Sequence, residues 1–182
     1  MSALAAIGLG SNLESRFGDR EANLREAVRR IEALGEVRAV SSFYDTEPVG
    51  YLAQPRFLNG AMLLRTELGP QELMRELLGV ERAMGRIRGG RIPGGQERAT
   101  NQLGAAAALA KGPIDKGPRV IDLDLLLYGD WVLWAEELML PHPAMAKRRF
   151  VLEPLAEIAP DWVHPVLGVT VRELLAGLGR DS

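Results

Sequence analysis

The chain has 182 residues, of which 47% are hydrophobic and 25% charged, and its formal net charge is −2 at pH 7. This composition is ordinary for a globular protein, and the near-neutral charge argues against a nucleic-acid-binding protein. The absence of cysteine excludes disulfides and thiolate metal sites. No apolar stretch reaches transmembrane length and no secretory leader pattern is present. We therefore expect one cytoplasmic domain, residues 1–182, acting as a monomer without membrane or nucleic-acid partners.

Hydrophobic periodicity predicts strands and helices along most of the chain. Residues 4–9 are an apolar run that predicts a strand ending in a Gly-x-Gly turn. Residues 21–34 predict a helix with Asp19 as its N-cap and Gly35 as its C-terminal stop. The remaining predicted elements are strands at residues 37–44, 56–66 and 117–128, a hairpin strand at 131–134, and helices at 70–84, 150–159 and 170–178. The order strand, helix, strand, strand, helix, strand predicts an α+β fold of the ferredoxin-like class. In this class helices pack on the face of an antiparallel sheet, and here C-terminal short helices follow.

Two segments of the sequence predict loops. Residues 45–50 contain a proline and a glycine, which are typical of a turn rather than a strand. Residues 89–116 are rich in glycine and alanine and predict a long flexible loop. Because this segment begins after Arg88 and ends before Arg119, we interpret it as a mobile cover over a site. A disordered segment without function is the alternative.

Two aspartates stand out in the apolar strand predicted at residues 117–128. Because strand side chains alternate, Asp122 and Asp124 share one face, with carboxylates roughly 6–7 Å apart at about 3.3 Å rise per residue. The other face is predicted to carry Ile121, Leu123, Leu125 and Leu127. Two carboxylates this close repel each other unless a cation lies between them, and Mg²⁺ prefers carboxylate and phosphate oxygens. The pair therefore predicts a metal–phosphate site, and the alternative is the solvated face of an ordinary strand.

Three further features are weaker signals. Arg86 and Arg88 follow a glycine at a spacing that presents two guanidiniums to phosphate oxygens, although solvated charge runs have the same pattern. Asn59, near the start of a strand, has an amide that can read the edge of a heterocycle or bond the local backbone. His142 lies between two prolines ahead of a basic segment, and a histidine in such a turn is usually structural.

These motifs together resemble those of the 6-hydroxymethyl-7,8-dihydropterin pyrophosphokinase family. The resemblance covers about residues 4–165, and its most specific part is the Pro-Arg-x-Ile-Asp-Leu-Asp motif with the Pro-His segment downstream. The matching motifs are Gly10-Ser11-Asn12, Ser41-Ser42-Phe43-Tyr44, Thr46-Glu47-Pro48-Val49-Gly50, Gln54-Pro55-Arg56-Phe57-Leu58-Asn59, Glu81 with Gly85-Arg86-Ile87-Arg88, Gly117-Pro118-Arg119 with Ile121-Asp122-Leu123-Asp124, and Pro141-His142-Pro143 with Arg148-Arg149-Phe150.

The resemblance implies an enzyme of folate biosynthesis. It would transfer diphosphate from ATP to the hydroxymethyl group of 6-hydroxymethyl-7,8-dihydropterin and release AMP. The implied pterin-binding residues are Thr46, Pro48, Val49, Phe57, Asn59 and Phe150, with the two phenylalanines stacking on the ring. The implied ATP-binding residues are Glu81, Arg88, Arg119, His142 and Arg148. The implied catalytic residues are Arg86, Arg88, Arg119, Asp122 and Asp124, of which the two aspartates would hold two Mg²⁺ ions.

The chain departs from the family pattern around its long loop. Residues 89–116 are inserted where relatives have a short connection, and Lys116 stands where relatives often have an aromatic residue. Ordering such a loop costs roughly 1 kcal/mol or more per residue. We therefore expect only its ends to become ordered when substrates bind.

Two other functions also fit parts of the sequence. A non-catalytic nucleotide sensor would need only the arginines, and it predicts binding without turnover. A metal-dependent nuclease or nucleotidyl-transfer domain would use the aspartate pair, and it predicts a basic track that this composition does not offer. Neither alternative explains Phe57, Asn59 and Phe150, so the pyrophosphokinase is the preferred hypothesis.

Overall fold

The structure is a computed structural model that describes residues 1–85 and 117–179. The predicted loop at residues 89–116 lies outside the described residues. The described strands are β1 (Ala3–Ser11), β2 (Glu36–Val40), β3 (Tyr44–Thr46), β4 (Phe57–Thr66), β5 (Asp122–Tyr128), β6 (Leu133–Trp134) and β7 (Met139–Leu140). The described α-helices are α1 (Arg20–Ile31), α2 (Pro70–Ala83), α3 (Arg149–Ile158) and α4 (Val171–Gly177), with 3₁₀ turns at Glu32–Leu34 and Met145–Lys147.

The main sheet is antiparallel and has the strand order β2-β4-β1-β5, with β3 pairing to β4 beyond the end of β2. The strands β6 and β7 form a separate two-stranded sheet. Strands and helices thus form an α+β fold, as the sequence predicted. None of the helices within residues 1–85 and 117–179 has the length and apolar character that a membrane span requires.

Helices cover both faces of the main sheet. On one face, β1, β4 and β5 pack against α1 and α2, with Leu24, Leu64 and Leu77 fully buried. On the other face they pack against α3 and α4, where Leu152 and Val171 are fully buried. The sequence predicted the two C-terminal helices but not which face of the sheet they cover. They cover the second face because β1 and β4 are apolar on both sides, which is typical of strands enclosed between two layers.

Helix α1 has the predicted N-cap, but it ends three residues before the predicted end at residue 34. The side chain of Asp19 caps its N-terminus by accepting the N–H of Ala22 at 2.9 Å. The helix ends at Ile31, and a 3₁₀ turn carries the chain to Gly35. A Cβ atom at Gly35 would lie 2.3 Å from the carbonyl oxygen of Arg65, so the chain approaches β4 too closely there for any other residue. This glycine therefore ends the 3₁₀ turn and permits the start of β2.

Several of the predicted strand boundaries were wrong. The strand predicted at residues 37–44 ends at Val40, and Tyr44 belongs to β3. Residues 45–50 were predicted to be loop, yet β3 includes Asp45 and Thr46, which pair with Leu58 and Phe57 of β4. The proline and glycine signals were correct only for the later part of this segment. The strand predicted to start at residue 117 begins at Asp122 instead.

The predicted hairpin after β5 does not form either. A tight turn with the N–H of Trp131 donating to Tyr128 O is present. The following strand, β6, pairs with β7 rather than with β5. The chain returns to β5 only afterwards, where the N–H of His142 donates to Leu126 O at 2.9 Å.

The alternation predicted along β5 holds only for its first half. Ile121, Leu123 and Leu125 are buried on the α1–α2 side, as predicted. Leu127 was assigned to the same face, but it packs with Leu126 on the α3–α4 side. The pairing with β1 contains an irregularity here, because Ala6 faces Leu127 while Ile7 faces Leu125. Such a bulge adds one residue to one strand and breaks the period of two.

Candidate active site

Two glycines of β1 lie at the centre of the site. The register pairs Gly10 with Asn59 of β4 on one side and with Asp122 of β5 on the other. Gly8 pairs with Asp124 in the same way. Because neighbouring strands lie about 4.8 Å apart, the backbones of Asn59 and Asp122 are about 10 Å apart with Gly10 between them. The sheet therefore holds the amide and the carboxylates on opposite sides of a strip without side chains.

Gly10 leaves a small space between three side chains of the site. A Cβ atom there would lie 3.2 Å from Oδ1 of Asn59, 3.8 Å from Cβ of Asp122 and 3.9 Å from Cδ1 of Phe57. All three side chains therefore border the same small volume above the strand. From the sequence alone, the Gly-x-Gly motif was a weak signal that fitted an ordinary strand exit equally well.

A pocket opens over this strip, and most of the predicted site residues line it. The predicted residues among those lining it are Thr46, Val49, Phe57, Asn59, Arg119, Asp122, Asp124, Arg148 and Phe150. Other lining residues were not predicted to be functional: Gly8, Leu9, Gly10, Glu47, Gln54, Gly60 and Val151. Residues that are distant in the sequence thus meet at one end of the sheet.

Strands β3 and β4 build the wall that carries Asn59. The amide of Asn59 is only 6% exposed, and its Nδ2 donates to Oγ1 of Thr46 at 2.5 Å. Thr46 is available as a partner because β3 pairs with this part of β4. An amide has a second N–H and a carbonyl oxygen, so the hydrogen bond to Thr46 orients these groups. The wall can therefore recognise a flat polar ring by its edge.

Two phenylalanines line the pocket from different elements. Phe57 is the first residue of β4, and Phe150 lies in the first turn of α3. Each has an arginine over its ring: the guanidinium of Arg119 lies 5.7 Å from the centroid of Phe57, and that of Arg148 lies 5.6 Å from the centroid of Phe150. These are cation–π distances, so the aromatic walls and the basic groups of the pocket are in contact.

Arg119 and Asp122 form an ion pair at the start of β5. Nη1 of Arg119 donates to Oδ2 of Asp122 at 3.1 Å, and Nε donates to Gly117 O at 3.0 Å. The two side chains are 13% and 23% exposed. Asp124 lies two residues further along and lines the same pocket. The pocket therefore has carboxylates and a guanidinium side by side, which suits a ligand carrying both phosphates and a divalent cation.

Three predicted residues lie near the pocket without being among its lining residues. Pro48 is buried in the segment after β3. Glu81 of α2 is 1% exposed, and its Oε1 accepts the N–H of Leu123 at 2.8 Å, so it supports the strand between the two aspartates. His142 is half-buried, and its Nδ1 accepts the N–H of Ala144 at 3.1 Å.

The environment of His142 favours the neutral imidazole. Burial lowers its pKa below the ordinary value, the nearby charge of Arg148 lowers it further, and Asp122 acts in the opposite direction. The ring therefore lies within electrostatic reach of Arg148 and Asp122. Because Nδ1 accepts a hydrogen bond, the neutral ring carries its proton on Nε2.

Arg86 and Arg88 lie outside the described residues, so their predicted contact with phosphate stays a prediction. Within residues 1–85 and 117–179, no group of three or more histidine, aspartate or glutamate side chains is arranged to hold a metal ion. Asp122 and Asp124 thus form a pair of carboxylates rather than part of a larger cluster of such side chains within the described residues.

The comparison with known protein families identifies the chain. The model of the family described as 7,8-dihydro-6-hydroxymethylpterin-pyrophosphokinase (HPPK) matches residues 6–160. The chain belongs to the HPPK family. It is therefore a pyrophosphokinase of folate biosynthesis, and the family uses ATP. Membership confirms the resemblance seen in the sequence and favours an enzyme over a nucleotide sensor or a nuclease.

Curated relatives support this assignment along nearly the whole chain. The 2-amino-4-hydroxy-6-hydroxymethyldihydropteridine pyrophosphokinase of Methylorubrum extorquens is 42% identical over 176 residues, which cover 96% of this chain and 92% of the relative. The enzyme of the same name from Synechocystis is 38% identical over 174 residues, which cover 94% of this chain and 74% of the relative.

A solved structure supports the fold. The structure of wild-type Plasmodium falciparum HPPK-DHPS matches 97% of this chain with a TM-score of 0.67. The identity is 14%, and the match spans 44% of that longer chain. At this identity, the likeness concerns the fold alone. The HPPK arrangement of strands and helices is thus present here despite a different sequence.

Replacing Gly10 by alanine is expected to raise the KM for the pterin about tenfold, because overpacking typically costs 1–3 kcal/mol. The new methyl group would lie 3.2 Å from Oδ1 of Asn59 and would displace this amide. Steady-state kinetics with the pterin varied at saturating ATP would measure the effect. Gly69→Ala is the control, because no atom lies within 4 Å of a Cβ at Gly69. Equal kinetics for the two variants would contradict the assigned role of Gly10.

Proposed function

We propose that this HPPK binds the pterin between Phe57 and Phe150, with Asn59 at the edge of the ring, and binds the ATP phosphates beside Asp122 and Asp124. One observation carries the proposal: a single pocket is lined by all five of these residues, although they come from β4, β5 and α3. The pocket thus combines an aromatic part for a flat heterocycle with a charged part for phosphates.

The donor set at Asp122 and Asp124 suits Mg²⁺. Carboxylate oxygens are hard ligands, and Mg²⁺ in nucleotide sites is commonly held by one or two carboxylates together with substrate phosphates. Asp122 and Asp124 would hold two such ions, with phosphate oxygens and water as the further ligands. When bound, the metal supplies charge neutralisation and alignment of the phosphate chain.

The basic side chains have a separate role in this proposal. Diphosphate transfer breaks the O–H bond of the pterin hydroxymethyl group, whose proton is released to water, and forms a bond from that oxygen to the β-phosphorus of ATP. It also breaks the bond from that phosphorus to the oxygen that leaves with AMP. Phosphoryl transfer depends mainly on positioning and on stabilising the charge of the transferred group. Arg119 and Arg148 line the pocket and can donate hydrogen bonds to that group, and Arg86 and Arg88 would add to them. His142 and Glu81 would also contribute to ATP binding. Thr46, Pro48 and Val49 would also contribute to pterin binding.

The proposal extends to the organisation of the chain. The strand order β2-β4-β1-β5 and the chain order β1-α1-β2-β4-α2-β5 support the ferredoxin-like class. Residues 1–182 would form a single domain. Action as a monomer is part of the same proposal.

The released nucleotide tests the proposed function. The protein is incubated with ATP, Mg²⁺ and 6-hydroxymethyl-7,8-dihydropterin, and the nucleotide products are separated. AMP formed only in the presence of both the pterin and Mg²⁺ is expected. ADP would mean that a single phosphate was transferred, and no product would favour a sensor; either result would contradict the proposal.

A further inference from the structure

Asn12 connects the two sides of the pocket without lining it. Its side chain is 2% exposed, and Asn12 is not among the described residues that line the pocket. Nδ2 donates to Oε1 of Gln54 at 3.0 Å and to Pro55 O at 3.1 Å. Oδ1 accepts the N–H of Arg119 at 2.7 Å, and the backbone N–H of Asn12 donates to Arg119 O at 3.1 Å. We infer that Asn12 is a positioning residue that holds the pterin side of the pocket in register with the phosphate side, an inference that rests on the proposed function.

On the pterin side, Asn12 is a buried anchor of the segment between β3 and β4. This segment, residues 47–56, has no regular secondary structure and contributes Glu47, Val49 and Gln54 to the pocket. Its other tethers include exposed ion pairs from Arg56 to Asp45 and to Glu47. Exposed ion pairs contribute little to stability, whereas a buried hydrogen bond is costly to lose. The position of the segment therefore depends strongly on the amide of Asn12.

On the phosphate side, the partner of Asn12 is the backbone of Arg119. Two hydrogen bonds join these residues, one in each direction, just before β5 begins. The side chain of Arg119 in turn donates to Asp122 at 3.1 Å. The amide of Asn12 thus fixes the backbone position from which the side chain of Arg119 and the start of β5 reach the pocket. Only an amide of this length offers two N–H donors for the segment at 47–56 and one acceptor for Arg119.

A purely structural role is the alternative, and a second buried asparagine allows the two to be distinguished. Asn23 is 0% exposed, and its Nδ2 donates to Leu13 O at 2.8 Å and to Ser11 Oγ at 3.3 Å. Its Oδ1 accepts from Ser15 Oγ at 2.5 Å. Its hydrogen bonds thus remain within residues 11–23. Asn23 has no side-chain hydrogen bond to residues 47–56 or to Arg119 among its contacts above, so loss of its amide should lower stability while the contacts of Asn12 to both sides of the pocket are kept.

The test compares Asn12→Asp with the matched control Asn23→Asp. At Asn12, aspartate keeps the acceptor for Arg119, removes both donors to Gln54 and Pro55, and places a carboxylate oxygen against their acceptor oxygens. The KM for the pterin is expected to rise about tenfold while the KM for ATP changes less than about twofold, because only the contacts on the pterin side are lost. In Asn23→Asp, thermal unfolding is expected at a lower temperature with both KM values unchanged.

A double-mutant cycle with Gln54→Ala tests whether the rise in the KM for the pterin depends on the hydrogen bond between Asn12 and Gln54. Gln54 is half-buried, so its truncation leaves the core intact. Gln54→Ala alone should raise the KM for the pterin severalfold, and adding it to Asn12→Asp should raise it little further. If Asn12→Asp fails to fold, Asn12→Ser is measured in the same way, because Asn12 does not line the pocket. A selective rise in the KM for the pterin in Asn12→Ser supports the inference, and an unchanged KM contradicts it.

Asn59→Ala, measured in parallel, shows whether a negative result contradicts the proposed pterin site or only the role of Asn12. An unchanged KM for the pterin in Asn59→Ala would contradict the proposed pterin site and the inference with it. A raised KM in Asn59→Ala, together with equal pterin KM values in Asn12→Asp and Asn23→Asp, would contradict the role of Asn12 alone.

Discussion

Replacing Asp122 or Asp124 by alanine is expected to lower kcat at least about 10³-fold, corresponding to a loss of about 4 kcal/mol of transition-state stabilisation. Both carboxylates line the pocket on β5, and the proposal assigns them to Mg²⁺ and the ATP phosphates. Neither belongs to the apolar core, so the variants are expected to remain folded. Steady-state formation of AMP, together with circular dichroism, would measure both effects.

Two further variants make the aspartate prediction specific. Asp122→Asn keeps the shape of the side chain and an acceptor for Arg119 but removes the charge, so it should be nearly as inactive as Asp122→Ala. Asp161→Ala is the surface control, because Asp161 is largely exposed and pairs with Arg172. Full activity of Asp122→Asn would show that the charge is not needed. Unfolding of Asp122→Ala or Asp124→Ala would show that the carboxylate has a structural role instead.

Replacing Asn59 by alanine is expected to lower kcat/KM for the pterin about 10²-fold, because two hydrogen bonds from a buried amide are lost at a cost of roughly 1–1.5 kcal/mol each. The hydrogen bond to Thr46 orients this amide, and Gly10 leaves space beside it. The KM for ATP is expected to change little, since Asn59 lies on β4, two strands away from the aspartates. Kinetics with each substrate varied in turn would separate the two constants.

The control for Asn59 is Thr46→Val, which keeps the size of the side chain and removes the acceptor of the amide. Its effect on the KM for the pterin should have the same direction and be smaller, because Asn59 is still present but is held less firmly. An Asn59→Ala variant with a normal KM for the pterin would exclude this amide as the group that recognises the ring.

Much of the fold could be predicted from the sequence, because local rules decide it. The stripe of apolar residues and the Asp19 cap are sufficient to predict α1, and the cap hydrogen bond is present in the structure. The first half of β5 likewise follows the period of two, with Leu123 buried between two aspartates. These features depend on neighbours within a few residues along the chain, and the sequence contains that information.

The failures have a common physical cause. Strand β3 forms because β4 extends beyond β2 and offers Leu58 and Phe57 as backbone partners. Leu127 changes face because β5 pairs with β1 through an irregularity. In each case the deciding partner lies on another strand that is distant in the sequence, and periodicity within a single segment carries no information about it.

By itself, the sequence determined the α+β class, the order of the main strands and helices, and the chemical types at the site: paired carboxylates, arginines, an amide and aromatic rings. The tertiary structure alone decided that Gly10 lies between Asn59 and Asp122, and that Asn12 joins the segment at residues 47–56 to Arg119. Local patterns report backbone preference and burial. Only the register between strands and the hydrogen bonds between distant segments establish which side chains meet.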